Sequence, residues 1–418
     1  MQRTKKAMWR LAGGSAVAKL ITLISLPILT RLYTPDDFGA LGMLLAGVTL
    51  LIPLVTLQYN HAIPIPRTDA AACMLAMLGM MSCVVSSIFL LALLFVSADC
   101  IFPAFGIEVL VPYYWLFPLG ALAIGLHSIA KMWHTRKRRY NMLMVEEVTQ
   151  SGIGNGLKVL LGFVSPQPLG LLLGQVAHMS SGLVVISHGF VRDFRQNIRY
   201  MRSTRLKKLA RQYATFPLYR APSQMISSLG MHMPVLFITP MYGLGAAGQF
   251  SLAMTALAMP VNLIGKSIGQ AFYAEAANVG SNKADEIRAA LKQALYLLGL
   301  VGAGLAVILA ASSVYLFPLI FGAEWYSAGQ FAAILSILMA ARFISSPLIA
   351  VLSVFRREDM YLKIDIQRTV IVAMSFLVAY VLNFGVIGAI ALYAILTTIH
   401  HVTSSVMIYR AAGRSLSE

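Results

Sequence analysis

The sequence predicts an all-α polytopic membrane protein, with about twelve transmembrane helices in two six-helix bundles related by a pseudo-two-fold axis. Three observations predict it. Of the 418 residues, 58% are hydrophobic and 12% charged, and the mean hydropathy is +0.74; a soluble domain carries about 25% charged residues. The apolar residues fall into twelve runs of roughly twenty residues, the length that spans ~30 Å of hydrocarbon. The basic residues alternate between connections, as the positive-inside bias requires when both termini are cytoplasmic.

The first span, Trp9–Thr30, follows Arg3, Lys5, Lys6 and Arg10, which hold the N-terminus inside. It has no clear small-residue cleavage site, so it is read as an uncleaved helix and not a signal peptide. Phe38–Leu57 returns after a turn carrying Asp36 and Asp37, and Arg67 marks its inner end. Ala70–Val96 and Val109–Ala130 are joined outside through Asp99 and Glu108. Tyr113, Tyr114 and Trp115 sit there where an interfacial aromatic belt is expected. Lys131 and Arg136–Arg139 pin the inner side before Met144–Val164 and Leu169–Phe190.

Next comes the longest connection, residues 191–215, with eight basic residues from Arg192 to Arg211. It predicts a basic amphipathic helix at the inner surface and divides the chain into bundles 1–190 and 216–418. The second bundle opens with Phe216–Pro240 and Ala246–Phe272. Lys283, Arg288 and Lys292 lead into Ala290–Phe317; Glu324, Trp325 and Tyr326 lead into Ala328–Val354. Arg356, Arg357, Lys363 and Arg368 mark the inner start of Ile366–Leu382, and Val386–Tyr409 ends at Arg410 and Arg414. In all, 27 of the 33 lysines and arginines lie on the inner side and none in an outer connection.

The halves echo each other. Pro27 and Pro53 recur as Pro234 and Pro260, and Tyr33 and Gly39 recur as Tyr242 and Gly248, at offsets of 207 and 209. These matches favour a parallel duplication about an axis along the membrane normal. The prolines break the helical hydrogen-bond ladder and permit bends.

Six cations remain within or at the ends of the spans: Lys19, Arg31, Lys158, Arg220, Lys266 and Arg342. A basic residue at mid-span costs roughly 2.5–3.5 kcal/mol on insertion scales. Lys19 lies ~15 Å from either end of its span, beyond the reach of its stem to water, and Arg342 is similarly central. Lys158 and Arg31 lie towards outer ends, where snorkelling competes; Arg220 and Lys266 lie towards inner ends. Mid-span carboxylates to neutralise them are missing from the sequence pattern, since Glu146, Glu147 and Glu275 fall near inner ends and read as interfacial. Such a set expects an anionic occupant. Asn155, Gln175, Gln224, Asn262 and Gln270 are candidates to bind sugar hydroxyls or to join helices. The histidines, His61, His127 and His178 among them, show no ligand spacing and read as packing or interfacial residues.

The net charge of +17 is spread over connections between spans, which suits anionic lipid headgroups and not nucleic acid. Cys73, Cys83 and Cys100 form no disulfide framework, and no metal, cofactor or nucleophile motif is expected. The outer connections are too short for a catalytic domain, so no enzyme is expected.

The stretch "LPILTRLYTPDDFGALGM" from Leu26, followed by "LQYNHAIPIP" from Leu57, resembles the N-terminal signature of Wzx-type polysaccharide translocases. Residues Phe216–Ala277, beginning "FPLYRAPSQMISSLGMHM", resemble that family's seventh and eighth helices. These proteins belong to the multidrug/oligosaccharidyl-lipid/polysaccharide exporter superfamily. The resemblance implies a flippase of the bacterial inner membrane that moves an undecaprenyl-diphosphate-linked oligosaccharide to the periplasmic leaflet, for O-antigen, capsule or exopolysaccharide. It implies two bundles opening alternately, and a polysaccharide polymerase and chain-length regulator as partners. Arg31 and Arg220 lie within the matched stretches and inherit a substrate-binding role, whereas the family more often has a neutral residue at the place of Lys266.

Other functions make different demands on the sequence. A cation-drug exporter of the same superfamily predicts mid-span carboxylates. A polymerase or ligase needs a sizeable periplasmic loop. A membrane scaffold has no use for charges at mid-depth.

Overall fold

The computed structural model describes the backbone of residues 2–165, 167–197, 203–279, 284–354 and 358–414. Side chains are described within 13–165, 167–197, 204–258, 295–345 and 362–409, with Leu348 and Met360. Among these residues all regular structure is helical: α1 (Gln2–Leu32), α2 (Pro35–Thr56), a single turn α3 (Tyr59–Ala62), α4 (Asp69–Ala104), α5 (Leu116–Arg136), α6 (Tyr140–Val164) and α7 (Pro168–Asn197). Then follow α8 (Ser203–Gln212), a π-turn at Phe216–Arg220, α9 (Ala221–Val279), α10 (Ala284–Phe321), α11 (Tyr326–Val354), α12 (Glu358–Val381) and α13 (Val386–Arg414). Two compact units result, Met1–His232 and Met233–Glu418.

Ten stretches among the described residues are long and apolar enough to cross a membrane. One of them, Phe216–Ala258, is folded in two. Within α9, Gly243 takes φ +88° and ψ 168°, a region open essentially to glycine alone. It separates the spans expected at Phe216–Pro240 and Ala246–Phe272. The fifth expected span is α6, which falls outside the ten; Glu146, Glu147, Gln150, Asn155 and Lys158 make it more polar than the rest. The chain is a multi-pass membrane protein.

Local chemistry sets the helix ends. Thr34 caps α2 reciprocally: its hydroxyl accepts from the Asp37 N–H, and Asp37 accepts from the Thr34 N–H, with Pro35 at the first helical position. The repeat seen in the sequence has a structural counterpart. The Tyr33 hydroxyl donates to the Lys158 carbonyl in α6 at 2.8 Å, and the Tyr242 hydroxyl donates to the Phe384 carbonyl just beyond α12, also at 2.8 Å. Each tyrosine closes the first helix of its half and reaches the fifth.

In the first unit α6 packs between α1 and α7, while α5 packs on α7 and α2. In the second, α11 packs against α10 and α13, and α12 lies on α13. Lipid supplies no hydrophobic drive for this association, so close packing and interhelical hydrogen bonds carry it. Phe376 stacks between Phe237 (5.6 Å) and Tyr393 (5.7 Å) in the second unit. The lipid-facing side of α4 leaves Val85, Phe89 and Phe95 exposed.

The basic connection between α5 and α6 does more than fix topology. Arg136 binds Asp69 at 3.1 Å and donates to the carbonyls of Ile63, Pro64 and Pro66. Lys137 also meets Asp69. Arg139 pairs with Asp193 at 2.8 Å, and the Trp133 indole N–H donates to the same carboxylate at 3.0 Å. Three helix ends, of α4, α5 and α7, are thereby joined. Cys73 and Cys83 are buried and Cys100 is exposed.

Candidate functional site

A polar seam runs through the first unit where α1, α5, α6 and α7 meet. Helices α1 and α6 lie in a fixed register: Ser15 donates to Glu147, and the Asn155 amide donates to the Thr22 hydroxyl at 3.1 Å. Lys19 stands between these contacts, four residues after Ser15 and three before Thr22, on the same stripe of the helix. It is partly buried. One turn beyond Asn155, Lys158 is only 7% exposed, and its Nζ donates to Gln175 Oε1 on α7 at 2.5 Å. Its stem lies against Gly174, whose missing side chain makes the approach possible. Snorkelling, the competing expectation for Lys158, is therefore wrong: the ammonium points into the bundle. Among the described residues it has a neutral amide for a partner and no carboxylate.

The seam also corrects the interfacial expectation for Glu146 and shows what Glu147 and His127 pack against. Glu146 is 0% exposed. Its Oε1 accepts from His127 Nε2 at 2.7 Å, and its Oε2 lies 3.4 Å from Lys131 Nζ. Lys131 also reaches Glu147 at 3.2 Å. His127 and Lys131 are four residues apart on one face of α5, opposite consecutive glutamates on α6. On α7, Gly182 leaves the space this cluster fills: a Cβ there would lie 2.9 Å from Glu146 Oε1 and 3.0 Å from His127 Nε2. Helix position alone suggested an interface; the packing of α5 and α7 over that face makes it interior. Sequence reading missed this cluster, although a His and a Lys four apart facing paired glutamates is a signal for it.

The other candidates are dispersed. Arg31 is exposed at the end of α1. Arg220 ends the π-turn, exposed, with its guanidinium 5.7 Å from the Phe216 ring. In the second unit Arg342 is partly buried, in an interior it shares with Tyr393 and Arg368. One turn on, Ser345 Oγ lies 3.1 Å from His401 Nδ1, and Arg368 pairs with Asp365 at 3.0 Å. His401 also lines an apolar cavity of about 540 Å³ with Leu295, Ile344 and Val402. The side chain of Lys266, on α9, lies outside the described ones. Of the six cations, Lys19 and Lys158 belong to one seam and Arg342 to a separate interior. Among the described residues no cluster of His, Cys, Asp or Glu is arranged to hold a metal ion.

The sequence profile of a family described as polysaccharide biosynthesis protein matches residues 28–330. No curated protein matches the chain. Among solved structures, it is similar to an inward-facing multidrug resistance MATE family transporter of the MOP superfamily, at TM-score 0.70 and 15% identity, covering 97% of this chain and 96% of the other. It is also similar to the lipid II flippase MurJ in an inward closed conformation, at TM-score 0.71 and 11% identity, covering 96% and 90%. These likenesses give the fold.

Proposed function

As the chain belongs to the polysaccharide biosynthesis protein family, we propose that it is a non-enzymatic flippase for an undecaprenyl-diphosphate-linked oligosaccharide. It moves this lipid from the cytoplasmic to the periplasmic leaflet of the bacterial inner membrane, for O-antigen, capsule or exopolysaccharide. The observation that carries the reading is Lys158, a cation buried in the membrane-spanning part with a neutral described partner. A buried charge is tolerated where it is hydrogen-bonded or paired, and the diphosphate is the counter-charge this one lacks. Residues 1–190 and 216–418 act as two bundles joined by 191–215, exposing the site to each side in turn. Lys19, Arg31, Arg220, Lys266 and Arg342 serve the anion along its path. Moving negative charge outward gains ~2.3 kcal/mol per charge per 100 mV from an inside-negative potential. A polymerase and chain-length regulator receive the product.

Export of cationic drugs, the alternative within the superfamily, fits the described interior less well. Its one buried carboxylate in the seam, Glu146, is already matched by His127 and Lys131. The test is deletion of the gene in its host, followed by mass spectrometry of carrier-linked repeat units. Accumulation of complete units with loss of surface polysaccharide is expected. Normal surface polysaccharide would sink the proposal.

A further inference from the structure

Both sequence stretches that carry the family resemblance meet at one place in the first unit. Helix α3, from "LQYNHAIPIP", packs against the π-turn Phe216–Arg220, from "FPLYRAPSQ". Nothing in the spacing of the two stretches foretells this contact. The backbone is unusual on both sides of it. Leu57 and Gln58 take φ +46° and +57° in succession, a left-handed conformation that non-glycine residues hold only when the surroundings enforce it. A π-turn is likewise rare and concentrated at functional sites.

The chemistry at the contact is that of an anion receptor. The Arg220 guanidinium lies on the Phe216 ring, exposed, and no carboxylate among the described residues pairs with it. His61, half-buried on α3, is close enough to feel its charge; burial and that guanidinium together hold the imidazole below its ordinary range. Two groups that repel each other when both charged are stable together once an anion joins them. Tyr219, beside Arg220, is 74% exposed and offers a flat face for a sugar ring. Gln58 Oε1 and Asn60 Oδ1 are buried with no hydrogen-bond partner, although polar atoms so placed nearly always have one.

We propose that Arg220 and His61, with Tyr219, form the entry receptor for the diphosphate and first sugar of the lipid-linked substrate, at the basic end of the first unit. Lys158 then takes over the anion deeper in the seam. This rests on the flippase reading, which also places that end in the cytoplasm. It adds to the path the α3 turn and His61, which the sequence left as a packing or interfacial residue.

The test is binding of undecaprenyl diphosphate to the purified full-length protein in detergent, with inorganic pyrophosphate and phosphatidylglycerol as competitors. Arg220→Gln should weaken binding at least tenfold and His61→Gln several-fold, while Arg220→Lys keeps part of it. Arg205→Gln on α8, which removes the same charge from an exposed surface, should bind like the wild type. Pyrophosphate should compete, and phosphatidylglycerol should compete far less. Binding by both Gln variants within twofold of wild type overturns the receptor. So does equal competition by phosphatidylglycerol, which marks a general anionic-lipid surface, or no competition by pyrophosphate. Surface polysaccharide measured in the same variants separates this from the flippase reading: lost export with unchanged binding removes the receptor and leaves the flippase.

Discussion

His127 Nε2 lies 2.7 Å from Glu146 Oε1 inside the first unit, and Lys131 approaches the other carboxylate oxygen at 3.4 Å. Removing one member of a buried, hydrogen-bonded ion pair leaves the other charge uncompensated, at a cost of about 3–5 kcal/mol. Glu146→Ala should therefore lower the stability of the detergent-purified protein by that order, whereas Glu146→Gln, which retains an acceptor for His127, should cost less. Chemical or thermal unfolding checks this. A loss below ~1 kcal/mol, the worth of a surface pair, would show that the cluster contributes little.

Two glycines offer a sharper contrast. A methyl group at Gly182 meets Glu146 and His127 at 3.0 Å or less, and overpacking of this kind costs about 1–3 kcal/mol. Gly156 on α6 has nothing within 4 Å, so Gly156→Ala should be neutral or gain up to ~1 kcal/mol from helix propensity. Melting temperatures should fall for Gly182→Ala and hold or rise for Gly156→Ala. The reverse order would mean that α7 does not press on the cluster.

Hydropathy and charge made the spans legible, because the lipid rewards runs of apolar residues whatever their partners. The break at Gly243 was visible as a gap between two runs. Helix lengths were not: α4 continues from the expected end at Val96 to Ala104, since Asp99 and Cys100 are as helical as the apolar residues before them and only the solvent changes. The six cations were visible as charges, but their fates were not. Whether Lys158 snorkels or turns inward depends on Gln175 and Gly174, seventeen and sixteen residues away in the next helix. For Glu146 the deciding partner lies on α5, and the π-turn that α3 packs against begins more than 150 residues on, at Phe216. Periodicity within one helix carries no record of such contacts.

The topology follows from the distribution of basic residues and is open to direct test. Reporter fusions after Lys208 on α8 should show cytoplasmic activity, and fusions near Asp99 and Glu324 periplasmic activity. Periplasmic activity at Lys208 would invert every assignment of side, and with it the direction of the proposed entry site.

Charge and packing can be separated at the buried cations. Lys158→Met keeps the volume and removes the charge; it relieves the desolvation of a buried cation but leaves the Gln175 oxygen without its donor, at a cost of about 1–3 kcal/mol. These terms oppose each other, so the variant should still insert and fold, and should be more stable than Lys158→Ala, which leaves a void beside Gly174 as well. If Lys158 holds the diphosphate, Lys158→Met should abolish surface polysaccharide despite its normal fold. Lys19→Ala and Arg342→Ala should do the same, each from its own interior. Lys19→Arg should restore part of the export, since the guanidinium keeps the charge but differs in fork geometry and hydration. The measurement is surface polysaccharide per unit of inserted protein. Full export by Lys158→Met would make the lysine a structural partner of Gln175, and the anionic path would then have to run elsewhere.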